Sequence, residues 1–336
     1  MIIHLEQNIS QEDKEALVNK ARELKYKTTE VKTQNGLYLV GIGKSEFDIR
    51  LLGSMPGVMD IFRVSDNFKM VSRKWKVDPT EIDLGDEIKI KEGAFTMMAG
   101  PCAIEGEEQI RKTIHHLKSN GVHIMRGGVY KPRTSPYSFR GMGIDGLKLW
   151  HQLAQEAGMK IITEVMQVSQ IEEMYDYVDI YQVGARNTQN FNLLDELGKV
   201  DKAVMIKRGV SGTIEELLYS AEYVFSGGNE KLILCERGIR TYETAARNTL
   251  DLNAIPLLKE KSHLPVIADP SHGIGIRDHI EPMALAAIMA GADGIIFEVH
   301  ENPKEAYSDG QQTLDYLESA QLIRKMKKTY TLRETF

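Results

Sequence analysis

From residue 95 onward the sequence keeps a regular beat. Short apolar runs recur roughly every 25–35 residues, at 96–99, 123–125, 160–163, 180–183, 203–206, 231–234, 265–268 and 294–297. Helical patterns lie between most of them. The clearest covers residues 213–225, where Ile214, Leu217, Leu218, Ala221, Val224 and Phe225 share one face. Thr213 and Glu216 open it as a capping box, in which each side chain satisfies an otherwise unpaired amide. Eight β–α repeats in about 240 residues predict an α/β fold of the (β/α)₈ TIM-barrel type. An open doubly wound sheet competes poorly, because no run is followed by the G-x-G-x-x-G dinucleotide fingerprint.

The residues upstream follow a different pattern. Residues 1–66 read as strand (2–5), helix (11–24), strand (26–32), strand (37–42), helix (46–54) and strand (58–64). That βαββαβ order is ferredoxin-like. The segment holds no paired acids, histidine cluster or phosphate loop, so it is either a structural appendage or a unit for sensing a ligand or forming an interface. Residues 67–94 are polar, broken by Pro79 and Gly85, and read as a connection, with 87–91 as one strand of a barrel-capping hairpin. Residues 95–336 form the barrel. A length of 336 residues accommodates a small unit plus a large one.

Composition narrows the partners. Apolar residues at 42% and charged residues at 27% exclude disorder and low complexity. A formal net charge of −6 argues against nucleic-acid and membrane-surface binding. The longest apolar stretch, 283–297, is broken by Asp293 and too short to span a bilayer. The opening MIIHLEQNIS lacks a basic n-region, which places the expected compartment in the cytoplasm. The 2 cysteines, Cys102 and Cys235, cannot build a disulfide framework and invite separate scrutiny.

A barrel gathers its chemistry where its strands end. The residues following the runs include Cys102, Arg126, Lys131, Arg133, Glu164, Arg186, Lys207, Arg208, Cys235, Glu236, Arg237, Asp269, His272, Glu298 and His300. An acidic chain has thus set Arg126, Lys131, Arg133, Arg186, Lys207, Arg208 and Arg237 around one mouth. Crowded like charges repel unless a polyanion lies among them. Arg forks match phosphate and carboxylate oxygens, so the ligand implied is multiply anionic. The alternative for individual members is pairing with Glu164, Glu236 or a helix end. Cys102, His272 and Glu298 follow runs one, seven and eight, which are contiguous in a closed ring of eight, and Asp309 lies in the loop after the last run, so the four can converge. A thiolate, an imidazole and two carboxylates suit Mn, Fe, Co or Zn better than Mg. Against that stands ordinary burial of a cysteine and a satisfied histidine. Cys235 reads as structural, and His263 and His300 carry no assignment.

The segments AGPCAIE (99–105), MRGGVYKPRTSPYSF (125–139), QVGARNTQNF (182–191), IKRG (206–209), ILCERGIRT (233–241), DPSH (269–272), EVH (298–300) and SDG (308–310) resemble a known family. It is the type I 3-deoxy-D-arabino-heptulosonate 7-phosphate (DAHP) synthases, in the branch with an N-terminal ferredoxin-like regulatory domain. The resemblance spans the whole barrel and extends more loosely over residues 1–66. It implies condensation of phosphoenolpyruvate with erythrose 4-phosphate, releasing phosphate, as the first step of the shikimate route. It implies metal ligation by Cys102, His272, Glu298 and Asp309, and a phosphoenolpyruvate clamp of Arg126, Lys131, Arg186, Lys207 and Arg237. Pro132, Arg133, Thr134 and Asp269 fall where the aldose phosphate is received, and Lys131, Cys102 and His272 where catalysis occurs. It further implies feedback by tyrosine or phenylalanine bound at the N-terminal unit, closing over the barrel mouth, and a homo-oligomer, expected as a tetramer. Ala103 and Gly273 depart from relatives that often carry other small residues, at non-ligand positions.

The nearest rival is 3-deoxy-D-manno-octulosonate 8-phosphate synthase, which takes arabinose 5-phosphate. Its loop typically reads Lys-Ala-Asn-Arg-Ser, where this chain has Lys131-Pro-Arg-Thr-Ser, and many members carry Asn in place of Cys102. An inactive scaffolding barrel is disfavoured by the intact ligand set. A fused chorismate mutase is all-helical, against the strands read at 26–32 and 37–42.

Overall fold

The computed structural model describes residues 1–131 and 137–336. Its first elements are β1 (Ile2–Leu5), α1 (Gln11–Glu23), β2 (Lys27–Lys32), β3 (Leu37–Ile42), α2 (Arg50–Gly53) and β4 (Val58–Phe62), in the order expected. The strands pair antiparallel as β2-β3-β1-β4. Alternation along each strand splits the side chains between two faces. Ile3, Leu5 and Leu39 pack on Leu17, Ala21 and Leu52 of the helices. Ile2, Val31, Tyr38 and Val40 join the core that continues into the rest of the molecule. Helix α2 is much shorter than the stretch 46–54. Asp48 takes the Arg50 amide at 3.0 Å, a local bond that offers the backbone an alternative to the helix.

Residues 67–94, expected as a connection, include buried Phe68, Met70, Val71 and Trp75. Trp75 lies 5.4 Å from Tyr38 on the sheet and 6.5 Å from Phe225 on the barrel, ring centre to ring centre. Its indole N–H donates to the Met70 carbonyl at 2.8 Å. One aromatic residue buries a large area without any periodic pattern, which is why a polar background concealed it. The hairpin is present as β5 (Ile82–Asp83) and β6 (Lys89–Ile90).

The barrel follows: β7 (Thr96–Gly100), α3 (Glu107–Ser119), β8 (Ile124–Arg126), α4 (Gly143–Glu156), β9 (Lys160–Val165), α5 (Ser169–Met174), β10 (Ile180–Val183), α6 (Phe191–Leu197), β11 (Ala203–Lys207), α7 (Ile214–Ser226), β12 (Leu232–Glu236), α8 (Ala254–Lys261), β13 (Val266–Ala268), α9 (Pro270–Ile274), α10 (Arg277–Met289), β14 (Gly294–Glu298) and α11 (Tyr316–Arg333). Every apolar run is a strand, and the eight close into a parallel TIM barrel. Closure is made by β14 on β7, from Gly294 opposite Thr96 to Glu298 opposite Gly100. The capping box of Thr213 and Glu216 starts α7 as read.

Inward-pointing Met98, Ile124, Ile162, Ile180, Met205, Ile233, Ile267 and Ile296 fill the barrel, together with Ile82 and Ile90 of the hairpin. The hairpin closes the end where strands begin, and Asp86 at its tip pairs with Lys160, the first residue of β9, at 2.9 Å. The N-terminal sheet docks at this same end. The turn between β2 and β3 reaches Glu230, just before β12: the Thr33 hydroxyl donates to its carboxylate, Asn35 donates at 3.1 Å, and the Glu230 amide donates to Gln34 at 2.9 Å. Polar chemistry is thereby left to the opposite end. Among the described residues no helix is long and apolar enough to cross a membrane.

Candidate active site

At the ends of the strands lies a cavity of about 220 Å³ walled by Arg126, Lys131, Arg186, Lys207, Arg237, Arg240 and Arg247, with Glu164, Gln182, His272 and Asp309. The five clamp positions expected from the sequence all face it. Arg240 and Arg247 were not anticipated. They sit further along the loop between β12 and α8, beyond the residues that directly follow a strand. Arg208 is the exception among the rim cations: its guanidinium lies 2.9 Å from both Glu236 and Asp251. Alternation along β11 turns Lys207 inward like Met205, while Arg208, one residue past the strand, is drawn out of the cavity by Glu236 and Asp251. Pairing with Glu236, the alternative weighed for single members, therefore holds for Arg208. Pro132, Arg133 and Thr134 lie outside the described residues.

The Asp269-Pro-Ser-His segment is built as a helix start. Asp269 caps α9 by accepting the His272 amide at 3.0 Å, and Pro270 occupies the first turn, where its missing N–H costs nothing. The second Asp269 oxygen takes His272 Nδ1 at 2.8 Å and Lys207 Nζ at 2.5 Å. Asp269, expected at the aldose subsite, is thus held beneath the cavity wall by two neighbours. Burial alone would raise its carboxyl; His272 and Lys207 overcome that and hold it well below the usual carboxylate range. With Nδ1 engaged by Asp269, His272 presents Nε2, which lies 3.5 Å from Glu298. Burial lowers the His272 imidazole, against the pull of Asp269 and Glu298.

Glu298 ends β14 and is 1% exposed. Arg126 donates to one oxygen at 3.1 Å and Gln312 to the other at 2.7 Å. Cys102 follows β7. Its thiol donates to Asp309 at 3.3 Å, and Lys131 Nζ lies 3.0 Å from the sulfur and 2.9 Å from the Cys102 carbonyl. Burial pushes this thiol up to about 11, with Glu298 adding to the rise and Lys131 opposing it. Ligand atoms of Cys102, Glu298 and Asp309 lie within 4.8 Å of one another. The structure thus groups three of the four expected ligands directly, and His272 Nε2 lies beside one of them, 3.5 Å from Glu298. Metal-ligating carboxylates and histidines characteristically carry such outer hydrogen bonds, so the donor set fits a divalent cation.

Two backbone features make room for this. Gly100 has φ +152°, and a Cβ there would lie 2.1 Å from the Arg126 carbonyl, so only glycine lets β7 deliver Cys102 beside β8. Asp309 itself has φ +51°, a strained conformation of the kind that persists where a side chain must be aimed. His300 is tied to Glu105 at 3.2 Å, linking the loops that bear Asp309 and Cys102. Cys235, by contrast, lies in the apolar barrel interior, where burial raises its thiol.

A family model described as the DAHP synthetase I family matches residues 74–335. The chain belongs to that family. Phospho-2-dehydro-3-deoxyheptonate aldolase of Thermotoga maritima is 45% identical over 329 residues, covering 98% of this chain and 97% of that protein. A crystal structure of Phospho-2-dehydro-3-deoxyheptonate aldolase (DAHP synthase) from Thermotoga maritima superposes with a TM-score of 0.78 over 97% of this chain and 96% of that one. The 2-dehydro-3-deoxyphosphooctonate aldolase of Geobacter sulfurreducens is 30% identical over 255 residues, covering 69% of this chain and 91% of that protein. The expected enzyme class, a 3-deoxy-7-phosphoheptulonate synthase, follows from membership in the DAHP synthetase I family, and the barrel with its small antiparallel sheet is shared with the Thermotoga structure.

Proposed function

We propose that this DAHP synthetase I family member condenses phosphoenolpyruvate with erythrose 4-phosphate, releasing phosphate, as the first step of the shikimate route to aromatic amino acids. The observation that carries the reading is one small cavity with seven cationic side chains on its wall and a cluster of thiol, imidazole and carboxylates at its edge. Two phosphorylated reactants repel in water. Fixed guanidinium and ammonium groups hold them together and stabilise the charge that shifts as the enol carbon attacks the aldehyde. Arg186, Lys207 and Arg237 bind the phosphoenolpyruvate oxygens, with Arg126 and Lys131 completing the clamp. Pro132, Arg133 and Thr134 receive the aldose phosphate, and Asp269 acts through His272 and Lys207. Lys131 Nζ, anchored on Cys102, is placed to give a proton to the aldehyde oxygen. Glu164 lines the same cavity and is placed to take one from the water that adds before phosphate leaves. Cys102, His272, Glu298 and Asp309 would hold a divalent Mn, Fe, Co or Zn ion, whose Lewis acidity polarises an oxygen of the reactants.

The same reading takes residues 1–66 as a regulatory unit of the ferredoxin-like branch that binds tyrosine or phenylalanine, 67–94 as a connection with a capping hairpin, and 95–336 as the catalytic barrel. The sheet docks at the end remote from its own mouth, so closure over a mouth requires another copy, consistent with a tetramer. The proposed compartment is the cytoplasm. The test is phosphate release from phosphoenolpyruvate with erythrose 4-phosphate or arabinose 5-phosphate, each with and without Mn. Turnover confined to erythrose 4-phosphate plus metal is expected. Preference for arabinose 5-phosphate, as in the octonate branch, would overturn the substrate assignment.

A further inference from the structure

Gln312 is a buried amide that none of the chemistry above requires. It sits on the turn Gly310–Gln312, immediately after Asp309, and is 3% exposed. Its Nε2 donates to Glu298 Oε2 at 2.7 Å, and its Oε1 accepts from Arg247 Nη1 at 2.5 Å. Only one orientation of the amide satisfies both neighbours. The reverse would set oxygen against carboxylate and NH₂ against guanidinium. Arg247 lines the cavity, and the same Nη1 lies 3.7 Å from Asp309 Oδ1. One cavity-wall cation is therefore wired to two carboxylates of the candidate metal cluster, to Glu298 through the Gln312 amide and to Asp309 directly.

The geometry points to Gln312 as a positioning residue for the metal centre, and to Arg247 as the link through which an anion in the cavity strengthens metal binding. The inference rests on the metal reading above. Glu298 has one oxygen occupied by Arg126 and facing His272. Gln312 fixes the other, so the carboxylate meets an ion in one orientation without reorganising. Outer partners of this kind typically support metal affinity by about 10–100-fold. The sign of the link follows from charge. The Arg247 guanidinium beside Asp309 repels an incoming cation, and a phosphorylated ligand that neutralises it removes that repulsion. Coupling between two ligands is reciprocal, so the metal must tighten the anion by the same factor.

The experiment uses the full chain and Mn²⁺ as probe, with Mn²⁺ affinity measured directly by electron paramagnetic resonance and calorimetry, with and without phosphoenolpyruvate. Gln312→Met keeps the length of the side chain and removes both bonds. Its Mn²⁺ affinity without anion is expected to fall about 10–100-fold while its melting temperature stays near that of the wild type. Gln312→Asn, which withdraws the amide by one methylene, serves as second variant should Gln312→Met fail to fold, with a fall in the same direction. In the wild type phosphoenolpyruvate is expected to tighten Mn²⁺ at least about fivefold, and in Arg247→Met by less than about twofold. Wild-type Mn²⁺ affinity in the folded Gln312 variant overturns the positioning role, and coupling retained in full by Arg247→Met overturns the link. Either result leaves the reaction proposed above intact. A wild type that makes product yet binds no Mn²⁺ overturns this inference together with the metal reading.

Discussion

The mouth of the barrel and its sealed lower part are made by the same strands, and each contains a buried cysteine and a histidine. Cys102 and His272 lie at the mouth, Cys235 in the interior and His263 at the lower end. Burial does not distinguish the two cysteines, and His272 is only partly exposed where His263 is fully buried. Neighbours distinguish both pairs. Cys102 meets Lys131 and Asp309 at hydrogen-bond distance, and His272 is suspended between Asp269 and Glu298. Cys235 packs among isoleucines and methionines, with its sulfur 3.8 Å from the Glu236 carbonyl and the charges of Lys207 and Asp269 acting only from a distance. His263 accepts from the Thr80 hydroxyl at 2.7 Å and donates to the Met70 carbonyl at 2.8 Å, both neutral groups. The lower end satisfies its polar atoms and is finished. The mouth concentrates charges whose mutual energy improves only when an anion and a cation arrive.

That contrast is open to attack, beginning where the effect is largest. Cys102→Ser is expected to lower phosphate release by more than about a hundredfold, beyond what loss of an outer partner of a metal costs. Chelator should do the same to the wild type, with Mn restoring it. Cys235→Ser is expected to stay within about threefold in turnover while losing about 1–3 kcal/mol in denaturant unfolding, because a more polar hydroxyl is buried among apolar side chains with the Glu236 carbonyl 3.8 Å from the present sulfur, too far for a good O–H···O bond. Equal losses of turnover at the two cysteines would erase the distinction.

Lys207→Met leaves Asp269 charged and buried beside His272 alone. Unfolding should become easier by about 3–5 kcal/mol, and the Michaelis constant for phosphoenolpyruvate should rise as a clamp member is lost. At the other end, Ile82→Ala opens a void in the barrel plug and should cost about 2–5 kcal/mol with kcat preserved. A fall in kcat from Ile82→Ala would show that the plug and the mouth are not separable.

The smallest effect concerns pH. Burial, and next the charge of Lys76, lowers the His263 imidazole to about 3, against an ordinary value of 6.5. Below pH 6.5 the unfolded chain therefore binds a proton that the folded chain refuses. Stability present above pH 6.5 is lost as the pH falls toward 3, by about 2 kcal/mol at pH 5. Melting curves of His263→Gln should show a shallower acid slope than those of the wild type. An identical slope would mean that the imidazole is already protonated in the fold.

Particular residues show what could be read in advance. All eight barrel strands and the βαββαβ order were visible, since continuous apolar runs and helical periodicity are local signals. That Arg126, Lys131, Arg186, Lys207 and Arg237 line the cavity was legible because they end strands or lie in the loops that follow them, and a barrel fixes where strands end. Arg240, Arg247 and Gln312 were not, because a long loop carries no periodicity to say which of its side chains return to the cavity. Arg208 follows a strand like the rim cations yet leaves the cavity, since the side on which a residue just past a strand emerges depends on what waits there, here Glu236 and Asp251. Trp75 and the buried residues around it carry no local signal, because their partners lie on the sheet and on α7, far away in sequence.

The order of apolar runs, the helix caps and the excess of cations after strands determined the architecture and the end at which chemistry gathers, because these follow from backbone geometry and short-range pattern. Only the tertiary structure decided which charges pair and which remain for a ligand, that Asp269 serves His272 and Lys207, and that the N-terminal sheet sits away from its own mouth. Electrostatic and packing partners are chosen by distance in space. Closure of the barrel brings residues such as Cys102 and Asp309 to 3.3 Å across more than half of the chain.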